Sequence, residues 1–347
     1  MPGYRRDFWT TRIRIRIRIP YGSLIMAKTL RFREDGTFKI VQFTDPEFAT
    51  NDQEEQQMEA MMLRILQDEQ PDLVVFTGDI IASASTKDPA DAFRRACCVP
   101  DRLNIPWAAV FGNHDSEATI TREQLHAMQL TYPNNYAKPD PQGVHGSGNY
   151  VLTMKGKDQE AACALYFLDS GSYSPLEHSR MGFYDWIRRD QIDWYARESY
   201  RLTNSNGGTP LPSLAFFHIP LPEYNDVWDF NICYGERNDE FCCAPWVNSG
   251  LFAAMIEMGD VMGTFVGHDH GHDYWGDWHG IRLCYGRTTR NAYLDRPFAP
   301  GARVIVLHEG QRSFDTWLHL ADGTLQSEQK KHEPVGRTPK IGAMGLR

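Results

Sequence analysis

Apolar residues crowd the stretch KIVQF, Lys39 to Phe43, and then give way at Asp45 to the polar, proline-containing run DPEFATND. A short apolar run closed by turn-forming residues predicts a strand buried in a sheet, with Asp45 at its carboxyl end. The pattern then changes period. Met58, Met61, Met62, Ile65 and Leu66 recur at helical spacing and form one apolar stripe. Asp52 with Glu55 three residues later resembles a capping box, and Pro71 stops the helix. Leu73 to Phe76 is a wholly apolar run that predicts a central strand ending at Gly78 and Asp79. DPADAFRRACCVPDRLN predicts a second helix up to Val99, and WAAVFGNHD a third strand ending at Gly112. Strand, helix and strand in alternation predict an α/β fold.

The second half has a different character. Asn149 to Met154 and Ala161 to Leu168 predict a hairpin, and Arg189 to Leu202 an amphipathic helix. SLAFFHIP and VMGTFVGHDHGHD are two more apolar runs, ending in His218 and in His268, Asp269 and His270. From Ile281 onward, IRLCYG and RVIVLH read as short strands of a second sheet. Thr203 to Pro210, TNSNGGTP, is the one clear flexible loop, and neither an internal repeat nor a domain linker stands out. Residues 38–320 are therefore read as the domain, 1–37 as an N-terminal extension with a lead-in strand, and 321–347 as a C-terminal tail.

At 347 residues and 41% apolar content the chain can bury a substantial core. Its net charge of -9 disfavours general nucleic-acid binding, which needs clustered Lys and Arg. Seven cysteines, two adjacent pairs among them and no C-x-x-C, give neither a disulfide framework nor a zinc-ribbon spacing, and a reducing, cytoplasmic setting is expected. No apolar run is long enough to span a membrane. Residues 12–19 alternate Arg and Ile, and the first 25 residues hold six Arg and one Asp. Since the character of the chain starts afresh at MAKTLRF, Met26 is expected to be the natural start and the preceding segment non-native.

Five predicted strand ends carry Asp45, Asp79, Asn113 with His114, His218, and His268 with His270. In open α/β sheets, side chains beyond the carboxyl ends of strands converge on one crevice. Singly, each has a plain explanation: a core histidine, a turn residue after glycine, a solvated loop. Together, carboxylate, amide and imidazole groups spread over five segments suit hard-to-borderline metals such as Mn, Fe or Zn.

The order Asp45, Gly78-Asp79, GNHD, FFHIP, GHDH resembles the calcineurin-like metallophosphoesterase superfamily over nearly all of the chain after Phe38. The words GNY, YFLDSGSYS, FFHIPLPEY, GHDHGHDYWG and LCYGR resemble its small purple-acid-phosphatase-like branch. The resemblance implies a four-layer sandwich, two sheets flanked by helices, with two metal ions at strand-end loops. It implies that Asp79 bridges both ions, that Asp45 and His270 serve the first, and that Asn113, His218 and His268 serve the second. It further implies a hydroxide held between the ions that attacks phosphorus, His114 as the residue protonating the leaving group, and Asp115 orienting its ring. Two departures stand out. The common pattern has His two residues after the first Asp, where this chain has Glu47, and purple enzymes carry Tyr three residues after the bridging Asp, where it has Ala82. Glu47 is then the replacement ligand at the first ion, favouring Mn or Fe there, and the purple colour should be absent.

The resulting expectation is a dinuclear metal-dependent hydrolase of phosphomonoesters or phosphodiesters; the alternative is a catalytically degenerate metal-binding scaffold that recognises a partner. His272 and Asp273 are expected in an exposed turn, with second-shell support of a ligand as the other reading. Trp275 and Trp278 are expected in the core, with a substrate platform as the other reading. Arg287 and Arg290 are candidate phosphate contacts by charge. The sequence leaves substrate, metal identity and oligomeric state open.

Overall fold

The computed structural model describes residues 29–175, 182–291 and 298–337; the Arg-Ile alternation and Met26 lie outside them. The first half of the chain runs β1 (Leu30–Arg31), β2 (Thr37–Phe43), α1 (Gln53–Glu69), β3 (Leu73–Thr77), α2 (Pro89–Arg102), β4 (Trp107–Val110), α3 (Arg122–Gln129), β5 (Tyr150–Lys155) and β6 (Ala161–Phe167). It continues with α4 (Arg189–Ser205), β7 (Ser213–Phe216), α5 (Glu223–Phe230), β8 (Cys233–Tyr234), α6 (Leu251–Met258) and β9 (Val261–Val266). Six strands close it: β10 (Trp275–Trp278), β11 (Ile281–Tyr285), β12 (Gly301–His308), β13 (Phe314–Leu320), β14 (Leu325–Gln326) and β15 (Lys331–His332).

Two sheets result. One has six strands in the order β14-β13-β12-β2-β3-β4, with β2, β3 and β4 parallel and β12 antiparallel to β2. The other has nine, β1-β5-β6-β7-β9-β11-β10-β8-β15, in which β6, β7, β9 and β11 are parallel. The apolar runs are continuous because both faces of each central strand are covered. Ile40, Leu73, Val75 and Val110 point between the sheets, where they meet Leu165, Leu214, Phe216 and Phe265. Val41, Phe43, Val74 and Phe76 point the other way, onto Met58, Met62 and Ile65 of α1 and Phe93 of α2. The outer face of the larger sheet packs Tyr166, Ala215 and Val266 against Ile192 and Tyr195 of α4 and Met255 of α6. Helices, sheet, sheet and helices make the expected four layers.

Between the sheets, Tyr150, Phe167, Phe216 and Phe265 stack in a ladder with centroid spacings of 4.5, 5.2 and 5.3 Å. Truncating one such buried ring to Ala costs about 3–5 kcal/mol. The ladder runs across β5, β6, β7 and β9 of the larger sheet, on the face it turns toward the smaller one.

Several expectations are corrected. Asp52 caps α1, accepting from Glu55 N at 2.9 Å, but the box is one-sided: the Glu55 carboxylate accepts instead from Ala49 N (2.7 Å) and Asn51 N (3.0 Å) and pairs with Arg95. α2 continues past Val99 to Arg102 although Pro100, in its last turn, has no N–H to give to the Ala96 carbonyl. The strands after Ile281 do not build a separate sheet. β11 joins β9 in the larger sheet, while β12 crosses to β2 in the smaller. Beyond residue 320 the chain still pairs, β14 with β13 and β15 with β8. All seven cysteines are free, and among the described residues no helix is long and apolar enough to cross a membrane.

Candidate metal centre

Parallel strands point their carboxyl ends the same way, so β2, β3 and β4 deliver Asp45, Asp79, Asn113 and His114 from one sheet while β7 and β9 deliver His218, His268 and His270 from the other. The turns that aim these side chains are strained. Asp45, Glu47, Asp79 and His268 have φ of 55°, 48°, 46° and 78°, a left-handed region that side chains other than Gly rarely adopt. Backbone hydrogen bonds hold them there, Asp45 N to Gly78 O at 3.1 Å and Glu47 N to Asp79 O at 2.9 Å. Asp45 and Glu47 therefore do not share a side by lying in an extended segment, yet both reach His270, whose Nε2 is 3.4 Å from Asp45 Oδ1 and 3.6 Å from Glu47 Oε1. Gly112 allows the end of β4 to close in, since a Cβ there would stand 2.2 Å from Asp79 Oδ1 and 2.6 Å from His218 Nε2.

Asp79 is the shared member. With His218 and His268 it forms one group of donor atoms, and with Asp45 and His270 another, the atoms of each group lying within 4.8 Å of one another; Glu47, Asp79 and His114 form a third. His218 Nε2 stands 3.1 Å from Asp79 Oδ2 and 3.3 Å from His268 Nδ1. Its Nδ1–H donates to Thr77 O at 2.8 Å, which leaves Nε2 as the nitrogen available to a cation.

The residues fit a pair of cations. Asn113 Oδ1 and His268 Nε2 are buried without a hydrogen-bond partner, a cost of about 1–3 kcal/mol each that a ligated ion would remove, and Asp79 Oδ2 has only the His218 ring facing it. The titration behaviour of the protein alone says the same. Against the burial that favours neutral rings, Asp79 raises the pKa of His218 to about 9, and the Asp45 hydrogen bond and charge raise that of His270 to about 9. Burial and the charge of His218 push His268 down to about 3. Burial raises Glu47 above the ordinary carboxyl range. Protons here occupy places suited to metal ions.

His114 sits at the rim. Its backbone N donates to Asp79 Oδ1 at 2.7 Å, and its Nδ1 is 2.9 Å from Glu117 Oε2. Burial lowers its pKa, but Asp79 and Glu117 more than offset this, and the ring stays protonated to a higher pH than usual. Asp115 does not orient that ring. It is fully buried and accepts from Ile81 N at 2.9 Å and Gly112 N at 2.7 Å, tying β3 to β4, while burial and the Asp79 charge raise its pKa to about 7. Glu117 takes the place expected for Asp115. Tyr173 is a second residue the sequence reading missed: it accepts from Asn113 Nδ2 at 3.1 Å, turning Asn113 Oδ1 toward the centre, and donates to Glu117. The three-residue step from His114 to Glu117 within one 3-10 turn was the available signal for Glu117. Tyr173, sixty residues from Asn113, offered none. Tyr184 completes the wall, its ring edge-on to His268 at 4.3 Å.

The remaining candidates sort by burial. His272 and Asp273 are not exposed; both are enclosed, and Asp273 pairs with Arg287. Arg287 is thereby committed to that pair and to Ala299 O, so it makes no phosphate contact. Buried Arg303 binds Tyr285 O at 2.6 Å and also the Asp273 carbonyl, anchoring the loop that carries His268 and His270. Arg290 does face the site, with Nη1 3.4 Å from Glu47 Oε2. Trp275 stacks on Tyr234 at 4.6 Å, away from a platform role. The aromatic surface beside the centre is instead a cleft of about 1070 Å³ lined by Phe183, Tyr184, Phe241 and Trp246.

The family model described as calcineurin-like phosphoesterase matches residues 38–272. Among curated proteins, the chain is similar to "Probable inactive purple acid phosphatase 29" of Arabidopsis thaliana, 35% identical over 88% of each chain. It is also similar to "Phosphatase DCR2" of Saccharomyces cerevisiae, 35% identical over 75% of this chain and 49% of that protein. Among solved structures, a dimetal phosphatase from Danio rerio shares the fold with a TM-score of 0.53 at 15% identity, covering 80% of this chain and 98% of that one.

Proposed function

Because the chain belongs to the calcineurin-like phosphoesterase family, we propose that it is a dinuclear metal-dependent phosphoric-ester hydrolase acting on phosphomonoesters or phosphodiesters. The observation that carries the reading is the sharing of Asp79 between two donor groups, beside buried oxygen and nitrogen atoms that have no other partner. Asp79 would hold both ions, Asp45, Glu47 and His270 the first, and Asn113, His218 and His268 the second. Two cations so held would neutralise phosphoryl oxygens and acidify a water between them. The carboxylate of Glu47, in place of an imidazole, makes the first site harder and favours Mn or Fe over Zn.

The chain's own groups supply the rest. Protonated His114, held through Nδ1 by Glu117, presents its other nitrogen to the leaving oxygen as the general acid. Arg290 supplies positive charge next to Glu47 for the phosphoryl oxygens. Tyr184, Phe241 and Trp246 give an apolar wall for the alcohol portion of the ester. The seven free thiols suit a reducing compartment such as the cytoplasm. The name of the Arabidopsis relative favours a second reading, a metal-binding scaffold without turnover.

One panel separates the two: metal analysis of the purified protein, with hydrolysis of p-nitrophenyl phosphate and bis-p-nitrophenyl phosphate under added Mn, Fe, Zn or Ni, for wild type and His114→Ala. The hydrolase reading expects two ions at the Asp79-centred site in both proteins, over and above any ion bound elsewhere, and a rate about 10²–10⁴ lower in the variant. Two ions and no hydrolysis of either ester in wild type would leave the scaffold.

A further inference from the structure

A second cluster of metal-binding side chains lies behind the loop that carries His268 and His270. Cys242 Sγ, a carboxylate oxygen of Asp269 and a ring nitrogen of His272 lie within 4.8 Å of one another, all three residues buried. Cys242 comes from the segment between β8 and α6, whereas Asp269 and His272 follow β9, so the group joins two separate stretches of chain. His272 is the telling member. It is fully enclosed, and neither ring nitrogen has a hydrogen-bond partner. A buried imidazole left so is destabilising and calls for a physical explanation.

The surroundings match those of a ligated ion. His272 Nδ1 is 3.7 Å from Asp269 Oδ2, and on the far side Nε2 is 3.7 Å from Asp239 Oδ2, so a carboxylate flanks each ring nitrogen just beyond hydrogen-bond reach. Tyr285 OH donates to Asp269 Oδ2 at 2.6 Å and Cys243 N also donates to that carboxylate, which fixes its direction. Cys242 Sγ lies 3.0 Å from Tyr274 OH, whose own proton goes to Tyr224 O at 2.8 Å, so in the metal-free chain the thiol is the donor of that pair. The rings of Tyr274 and Tyr285 wall the histidine at 5.9 and 5.0 Å. Arg237 is the cation nearby, and it is directed to Asp229 at 3.7 Å and to the Glu240 carbonyl.

We propose that Cys242, Asp269 and His272 form a structural zinc site, separate from the dinuclear centre, that clamps the His268–His270 loop to the segment 239–243. One thiolate, one carboxylate and one imidazole are zinc-binding groups, softer than the oxygen-rich pair of sites next door; three protein donors leave the fourth position of a tetrahedral ion to water, and burial behind the loop gives the ion a holding role. Binding replaces the Cys242 thiol proton, which leaves to solvent, and two negative ligands balance the dication. This site is independent of whether the chain hydrolyses esters.

Cobalt reads the site selectively, because the dinuclear centre contains no sulfur and only a thiolate ligand adds sulfur-to-cobalt charge-transfer absorption. The full chain, stripped of metal and titrated with cobalt(II), should develop that near-ultraviolet band, with the final intensity of a single thiolate ligand per chain, and added zinc should bleach it. Cys242→Ser should abolish the band while Cys243→Ser keeps it. A wild-type protein that takes up cobalt without the band, or a band that survives Cys242→Ser, overturns the proposal. Should Cys242→Ser not fold, iodoacetamide labelling of wild type read by mass spectrometry decides: zinc slows alkylation of Cys242 by tenfold or more if it is a ligand, and equal rates with and without zinc refute it.

Discussion

Replacing Glu117 by Gln keeps the size of the side chain and removes the charge that faces His114 Nδ1 at 2.9 Å. A carboxylate beside an imidazole favours the charged ring, so its loss must lower the His114 pKa, itself raised in the folded protein. The pair is partly open to water, with side-chain exposures of 38% and 22%, which limits the coupling to the range of exposed ion pairs, about 0.2–1 kcal/mol. At about 1.4 kcal/mol per pKa unit this is a downward shift of roughly 0.1–0.7 units. NMR titration of the His114 ring measures it directly and needs no turnover. If His114 is the general acid, the alkaline limb of kcat moves down by the same amount, most visibly with poor leaving groups. Stability follows with a definite sign. A histidine with a raised folded pKa contributes fully below its unfolded value near 6.5 and loses the contribution as pH climbs through the folded value. Wild type should therefore melt above Glu117→Gln on the acid side of that titration and converge with it in alkali. Asp115→Asn serves as the control, because Asp115 touches backbone amides and not the ring. A His114 midpoint that stays put in Glu117→Gln, or moves equally in Asp115→Asn, would refute the assignment of Glu117.

Asp79→Asn should bind two ions fewer than wild type, since one carboxylate serves both donor groups; the same metal content as wild type by elemental analysis would make Asp79 a turn residue only. Glu47→Gln should lose the first ion, whereas Glu47→His should retain an ion and shift the pH optimum downward, because a neutral ligand leaves the cation more Lewis acidic. Identical metal content and pH profiles in wild type and both variants would remove Glu47 from the shell. Loading the dinuclear centre should release protons at neutral pH, because His218 and His270 hold theirs up to a pKa of about 9. Calorimetry in buffers of different ionisation enthalpy detects the release, and affinity should rise with pH until both rings are neutral; affinity flat from neutral pH to 9 would contradict it.

Much of this arrangement was legible because the strands feeding the site are buried on both faces. Runs such as Leu73–Thr77 then carry an unbroken apolar signal that ends abruptly at a functional residue. The pairing of the last strands was not legible. IRLCY and RVIVLH look alike as short apolar runs, and which sheet each joins is set by neighbours far away in sequence, Val261–Val266 for one and Thr37–Phe43 for the other. Charge alone could not separate Arg287 from Arg290. The first is consumed by buried Asp273 and the second stands next to Glu47, a difference that exists only in three dimensions. Asp115 misled for a related reason. The family resemblance implied contact with His114, but in a 3-10 turn neighbouring side chains diverge, and the residue three places on returns to the same side.

The donor groups of the dinuclear centre come from both layers of the sandwich, three strand ends from one sheet and two from the other. Ions bound there would act as rivets through the seam, and ligand binding and cohesion of the two sheets would become one linked equilibrium. An ion present at a hundred times its dissociation constant adds about 2.7 kcal/mol to the folded state, and that increment falls at the seam where the layers would otherwise part. Chelation and heating are then the same perturbation approached from two sides, and exchange of the amides flanking Asp45, Asp79 and His218 is where both would first be felt.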